Sequence, residues 1–313
     1  MNAVKDFPDL CKKAVGYKTT LPEEYKDFNK VLVVGMGGSA ISGNLVKDWL
    51  NPFSKIPIDV YRGYNLPKHA DENTLLFCVS YSGNTKETLS CFEQGLHAGC
   101  KIIIISTGGK LGEYAKNMDL PFIEIPAGMT PRDSLPLLFF PIVNCLKEVG
   151  SIGYDYARIG DFLEENKDEC DSIAEGTAKK ILNTIPFIYG TSESVGMRYK
   201  TQINENSKMH AKFEVYPELN HNEVAGWQGK SIGLSVIFLR RLERNEDVEN
   251  AMNTLIKLIE KRAKIVEIIA RGNNWLEKAF YLLYIGDLIS FYLSEKQGVE
   301  REKVEFIDKL KEL

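Results

Sequence analysis

The chain is short of the residues that bind metals and span membranes. Its four histidines, His69, His97, His210 and His221, are too few for a His-rich metal site. Its six cysteines, Cys11, Cys78, Cys91, Cys100, Cys145 and Cys170, are scattered, with no CxxC pair and no zinc-type spacing. Such cysteines are expected to be reduced, mostly buried thiols of a cytoplasmic protein. No apolar run is long enough to cross a bilayer. The opening MNAVKDFPDLCKK has no signal-peptide core. There is also no excess of basic charge: 39 Lys and Arg against 43 Asp and Glu leave a net charge of −4. Nothing in this balance advertises nucleic-acid binding, so an anionic substrate would have to be held by local groups.

What is present is the composition of a globular protein with a full core. Of 313 residues, 44% are hydrophobic and 26% charged, enough chain for two domains or one large one. Short apolar runs alternate with helical patterns. Strands are expected at Val31–Gly35, Ile58–Tyr61, Leu75–Val79, Lys101–Ser106 and Phe122–Ile125. Helices are expected from Ser39 to Leu50, Thr85 to Ala98 and Ser134 to Val149. Continuous apolar strands separated by helices predict a parallel sheet covered on both faces. After a polar helical stretch, Ile159–Asn183, the pattern restarts. Strands are expected at Ile185–Tyr189, Ser231–Leu239 and Lys264–Ala270, with helices at Asn245–Lys261, Trp275–Ser294 and Glu300–Leu313. Strand, Gly/Ser turn and helix thus occur twice, starting near Val31 and Ile185, as in a weak duplication. The fold expected is α/β, two doubly wound parallel-sheet domains at 1–150 and 151–313. In such sheets ligands bind beyond the carboxyl ends of the strands, where these turns fall.

The densest chemistry is in LLFCVSYSGNTKETL. Ser80, Ser82, Gly83, Asn84 and Thr85 follow an apolar run and open a helix. Hydroxyls, unpaired backbone N–H groups and the helix dipole together suit a small dianion. The loop holds no Lys, so it is not a Walker A loop; an ordinary helix cap is the plainer alternative. Gly35-Met36-Gly37-Gly38-Ser39 forms a second anion-binding turn. Its Gly35-x-Gly37-x-x-Ala40 spacing, with Asp59 as a ribose acid 24 residues on, also fits a dinucleotide-binding dehydrogenase. One phosphate shared by Ser39, Ser80, Ser82 and Thr85 accounts for both turns more economically. Glu205, in INENSK, and His221, in PELNHNE, are the strongest proton-transfer candidates, although Glu214, Glu218 and Glu223 stand nearby. Arg132, just ahead of a helix, could steady an oxyanion or simply pair with Asp133. In the last helix Lys303, Lys309 and Lys311 are expected in solvent, over a buried face of Val304, Ile307 and Leu310.

Taken together, GMGGSAISG, SYSGNT, the Pro131-Arg132 dipeptide, INENSK and PELNHNE resemble the bifunctional phosphoglucose/phosphomannose isomerases. These belong to the phosphoglucose isomerase superfamily and are built from two sugar-isomerase (SIS) domains. The likeness covers nearly the whole chain in the right order. It implies two SIS-type αβα sandwiches with a C-terminal helix and isomerisation of a hexose 6-phosphate without metal or organic cofactor. It implies that Gly37, Gly38, Ser39, Ser80, Ser82 and Thr85 hold the phosphate and that Arg132 steadies an enediolate. Glu205 would be the base between C1 and C2. His221, sixteen residues further on, would assist ring opening from the neighbouring subunit of a homodimer. Lys311 would contact the sugar. Conventional glucose isomerases carry a Gln seven residues before that lysine, where this chain has Val304. Three other outcomes remain: a strict glucose-6-phosphate isomerase, a non-catalytic sugar-phosphate sensor that binds without turnover, and a dehydrogenase that binds NAD(P).

Overall fold

The structure is a computed structural model describing residues 4–151, 155–230, 232–243 and 245–311, the side chain of Lys311 excepted. It divides into two units, one running through Asp161 and one from Phe162. The first contains α1 (Phe7–Ala14), β1 (Lys30–Val34), α2 (Gly37–Leu50), β2 (Ile58–Tyr61), β3 (Thr74–Val79), α3 (Lys86–His97), β4 (Lys101–Ser106), α4 (Gly109–Met118), β5 (Phe122–Glu124) and α5 (Leu135–Glu148). All five strands are parallel, in the order β2-β1-β3-β4-β5. The runs VLVV, TLLFCV and IIIIS are almost wholly buried because the sheet is covered on both faces. On one face, Cys91 and Phe92 of α3 and Leu111 and Ala115 of α4 pack over Leu76, Ile102 and Ile104.

The chain steps from β1 to β2 on one side, then returns to place β3 on the other. This reversal opens a crevice at the carboxyl ends of β1 and β3, the usual ligand position in such sheets. Two sequence expectations need correction here. The first long helix opens at Gly37, ahead of Ser39, and α4 was not foreseen. Two glycines, Gly109 and Gly112, lower the helix propensity of GKLGEYAKNM, but Leu111 and Ala115, four apart, fix it to the core.

Helix α6 (Ile159–Glu165) contains the division, so the helical stretch expected over Ile159–Asn183 is two helices, α6 and α7 (Lys167–Ile181), broken at Asn166. Then come β6 (Ile185–Gly190), α8 (Glu193–Ser207), β7 (Lys212–Val215), α9 (Glu223–Gly226), β8 (Leu234–Arg240), α10 (Glu246–Ile259), β9 (Lys264–Ile269), α11 (Trp275–Gln297) and α12 (Glu305–Lys311). The four strands are parallel, in the order β7-β6-β8-β9, with the same reversal between β6 and β8. The short edge strand β7, Lys-Phe-Glu-Val, has too little apolar patterning to be read from sequence. The expected β8 begins at Leu234; Ser231 lies outside the described residues.

Helix α8 is locked to α11 by a buried polar seam. Arg198 grips Asp287 with both arms, Nε to Oδ1 at 3.1 Å and Nη2 to Oδ2 at 2.7 Å. One turn on, Gln202 Nε2 donates to Asp287 Oδ1 at 2.9 Å, and a further turn on Asn206 Nδ2 donates to Ser290 Oγ at 2.8 Å. Three polar residues spaced four apart fix the rotation of α8 about its axis.

The C-terminal helix departs from expectation. It spans only Glu305–Lys311, and Ile307 and Leu310 are exposed rather than buried, as is Phe306. Seven residues give two turns, and nothing among the described residues covers their apolar side.

Candidate active site

In the first unit three turns meet at the carboxyl ends of the strands. A Cβ on Gly35 would come within 2.8 Å of the Val79 carbonyl oxygen, so the turn after β1 lies against the end of β3. A Cβ on Gly38 would meet Pro131 O at 3.2 Å and Arg132 Cα at 3.6 Å. The Pro131–Asp133 3₁₀ turn therefore rests on the first turn of α2. The serine turn joins the same group through Tyr81, a buried residue whose Oη donates to Pro126 O at 3.2 Å and accepts from Met129 N at 2.9 Å. Burial pushes the Tyr81 phenol above its ordinary value, so it keeps the proton it donates.

The serine turn is pre-shaped. Ser80, buried, accepts from Gly83 N at 3.1 Å, and its Oγ lies 2.8 Å from Thr85 Oγ1. Ser82 Oγ, exposed, accepts from Asn84 N at 3.2 Å. Gly83 adopts φ +69°, and a Cβ there would overlap the Gly108 carbonyl oxygen. Asn84 Oδ1 accepts from Lys110 N at 3.0 Å and Gly83 O from Leu111 N at 3.0 Å, tying the turn to the start of α4.

Neither α2 nor α3 has a side-chain N-cap among the described residues: Met36 precedes α2, and the Thr85 hydroxyl pairs with Ser80 rather than with its own helix. Their first-turn N–H groups and positive dipole ends face the crevice where an anion would be stabilised. Gly37, Gly38, Ser39, Ser80, Ser82 and Thr85 are thus brought together, with burial falling from Ser80 and Ser39 to the exposed Gly37 and Ser82. Arg132 stands beside them and is 5% exposed. It is not an Arg on an open surface: Asp133 is buried too, with Thr130 Oγ1 donating to it at 2.5 Å.

The corresponding place in the second unit is built differently. Ser192 caps α8 by accepting from Val195 N at 3.3 Å, and Asn245 caps α10 by accepting from Val248 N at 3.2 Å, the cap expected from sequence. Arg240, ending β8, is bracketed by Glu249 and Glu267. Helix ends and cation are already engaged within the protein.

Glu205 is half-buried, in the last turn of α8, with Lys208 Nζ donating to its carbonyl at 2.5 Å and to Arg301 O at 3.2 Å. His221 is exposed and ends the Glu218–His221 3₁₀ turn. The two lie on opposite faces of the sheet. Gly196 of α8 packs on Phe213, whose register partner is Ile188. The His221 segment instead packs Tyr216, Leu219 and Trp227 with Tyr189, Phe187 and α10 on the other face. The second unit by itself does not bring the two together. Lys303 pairs with Glu300 at 2.6 Å. The Lys311 side chain lies outside the described residues.

Residues 24–131 match the SIS domain, and residues 171–313 match the bacterial phospho-glucose isomerase C-terminal SIS domain. Over 330 aligned residues the chain is 36% identical to a bifunctional phosphoglucose/phosphomannose isomerase of Caldicellulosiruptor bescii, covering 99% of this chain and 97% of that one. The chain belongs to that family. It is an enzyme of the isomerase class. A D-glucosamine-6-phosphate 4-epimerase of Sulfolobus acidocaldarius is 28% identical over 92% of this chain and 90% of its own. Among solved structures, tagatose-6-phosphate ketose/aldose isomerase from Escherichia coli superposes with a TM-score of 0.74 at 14% identity, covering 96% and 93% of the two chains.

Membership of this family weighs against the dinucleotide alternative, and so does the place of Asp59. It is the second of four residues in the edge strand β2, in register with Leu32 midway along β1, and Lys47 Nζ holds it at 2.9 Å. A ribose acid belongs at the carboxyl edge. Sequence reasoning missed Tyr81 and the Gly108-Gly109 turn as supports of the site. The tyrosine stood inside the motif, but its partners are 45 and 48 residues away.

Proposed function

We propose that the protein interconverts glucose 6-phosphate and mannose 6-phosphate with fructose 6-phosphate through a cis-enediolate. Convergence of two uncapped helix N-termini, the serine turn and Arg132 at one crevice carries this reading. Gly37, Gly38, Ser39, Ser80, Ser82 and Thr85 hold the phosphate, and its binding energy fixes the reacting carbons. His221 assists ring opening. Glu205 takes the C2 proton of glucose 6-phosphate and returns it to C1, and Arg132 offsets the enediolate charge. Mannose 6-phosphate requires the opposite face at C2, presented by rotation of the enediolate or by looseness around the C2 hydroxyl. Lys311 contacts the sugar. The reaction so written uses no metal and no organic cofactor.

The opposite-face arrangement of Glu205 and His221 supports a homodimer in which each His221 serves the partner's Glu205. The six free cysteines support a reducing, cytoplasmic setting.

The test is an assay of purified protein in EDTA, with glucose 6-phosphate and mannose 6-phosphate supplied separately and fructose 6-phosphate followed. Comparable turnover of both is the expected result. Turnover of glucose 6-phosphate alone would make it a strict isomerase. Turnover of neither would refute the reading and turn attention to other sugar phosphates, glucosamine 6-phosphate first.

A further inference from the structure

The segment carrying His221 is bound to the sheet by groups that the reaction above does not use. Tyr189, in β6, is fully buried. Trp227 Nε1 donates to its Oη at 2.9 Å, and that Oη donates to Glu223 Oε1 at 3.0 Å. The other oxygen, Glu223 Oε2, accepts from Lys212 Nζ at 2.5 Å. Lys212 Nζ also stands 5.7 Å from the centre of the Phe187 ring. Burial, with the Glu223 charge beside it, pushes the Tyr189 phenol far above its ordinary value, so it remains a donor.

His221 itself is exposed, as are Asn220 and Asn222 beside it, but the segment is anchored two residues away on either side. Leu219, two residues before it, is fully buried, and the Glu223 side chain, two residues after it, is 12% exposed. Asn222 closes the gap: its Oδ1 accepts from Glu223 N at 2.5 Å, and its Nδ2 donates to Glu218 Oε1 at 2.9 Å. An exposed imidazole is thereby held between two anchored points. A connection from β7 to β8 could be closed with apolar contacts alone. Burying a carboxylate carries a desolvation cost that such contacts avoid, so the ionic chain points to a demand for fixed geometry.

We propose that Tyr189 and Glu223 are positioning residues for His221. The Trp227–Tyr189–Glu223–Lys212 chain sets the orientation from which the imidazole exchanges protons with the sugar. This inference rests on the proton-transfer role assigned to His221 above.

A double-mutant cycle on the full-length protein tests it, with kcat and KM measured on glucose 6-phosphate. Tyr189→Phe keeps the ring and removes the hydroxyl; Glu223→Gln keeps the shape and removes the charge, and serves if the first variant folds poorly. The expected result is a kcat about tenfold lower for Tyr189→Phe with KM little changed, as for residues coupled in one network. In a His221→Ala background the same change should have no further effect. An equal loss in both backgrounds would overturn the proposal, since the hydroxyl would then act on stability or on another group. A raised KM with unchanged kcat would overturn it as well. If His221→Ala alone kept full kcat, the catalytic reading of His221 would fail first and the positioning role with it.

Discussion

Gly83 is the position at which the geometry of the serine turn can be challenged most directly. Its φ is +69°, and a Cβ would overlap the Gly108 carbonyl oxygen and stand 3.2 Å from Gly109 Cα. For Gly83→Ala the left-handed conformation alone costs about 1–2 kcal/mol. Relief of the overlap requires the serine turn and the β4–α4 turn to part. The contacts first lost are Leu111 N to Gly83 O and Lys110 N to Asn84 Oδ1, both 3.0 Å, at about 1 kcal/mol each. The sum is about 3–4 kcal/mol, or a fall in Tm of roughly 10 °C. Gly298→Ala is the control. That residue ends α11 at φ +64° with nothing within 4 Å of its Cβ position, so it should lose only the conformational cost of about 1–2 kcal/mol, roughly 3–6 °C. Thermal melts read the difference. Competition by inorganic phosphate against sugar phosphate reads whether the anion site loosens at the same time. If the two variants melt within about 2 °C of each other, the contact between the turns does not constrain the site, and the pre-shaped turn is wrong.

Glu205→Gln should lower kcat by about 10²–10⁴ while leaving competition by inorganic phosphate unchanged; an unaltered kcat would remove Glu205 as the base. Refolding Glu205→Gln together with His221→Ala should restore up to about one quarter of parental activity, because half the dimers are mixed and each has one intact site. No recovery in mixed dimers would mean that each site uses a single chain. Asp287→Ala leaves Arg198 charged and buried, so urea unfolding should show a loss of about 3–5 kcal/mol; a loss below 1 kcal/mol would mean that the seam relaxes. Burial pushes the Cys145 and Cys170 thiols up from 9.0 to about 12. Both stay protonated in the fold while the unfolded chain ionises, so the native state binds more protons between these values. Stability should therefore hold below pH 9 and decline from there toward pH 12, by up to about 2.7 kcal/mol per pH unit for the two together. Urea melts at pH 8, 9.5 and 10.5 would show it, and a flat profile would contradict the burial.

The strands were legible wherever both faces are covered. Leu75–Val79 and Lys101–Ser106 are unbroken apolar runs because helices lie on either side. The same signal fails at the margins. In β7, Lys212 and Glu214 point to the side where Glu223 lies, so the strand reads as polar loop. Helix α12 failed in the opposite direction. Amphipathic spacing put Ile307 and Leu310 on one side with Val304, but spacing cannot say whether anything covers it. At the candidate site, the residues of the two turns were readable because short motifs carry their own geometry. Their supports were not, since Tyr81 and Gly108 act through contacts across the fold. The relation of Glu205 to His221 was also hidden. Sixteen residues of separation are compatible with either face, and only the pairing of Phe213 with Ile188 decides that α8 and the His221 segment lie on opposite sides.

The two units repeat one topology and differ in what their helix ends do. In both, the chain reverses beside the first strand, and a crevice forms where the order turns back. The second unit fills that place from within, with Ser192 on Val195 N, Asn245 on Val248 N and Arg240 between two carboxylates. The first leaves α2 and α3 without side-chain caps and sets glycine and serine there. A helix end without a cap has first-turn N–H groups in need of an acceptor, and a dianion supplies several at once. In the proposed reaction the repeated units take different tasks, phosphate binding in the first and proton transfer in the second. Phosphate recognition needs an open, positively polarised helix end. A proton-transferring carboxylate needs a fixed scaffold that holds it at the reacting carbons. Glu205, the base in that proposal, lies in the last turn of a 15-residue helix, about 18 Å along the axis from its capped start, and the Arg198–Asp287 seam supplies such a scaffold.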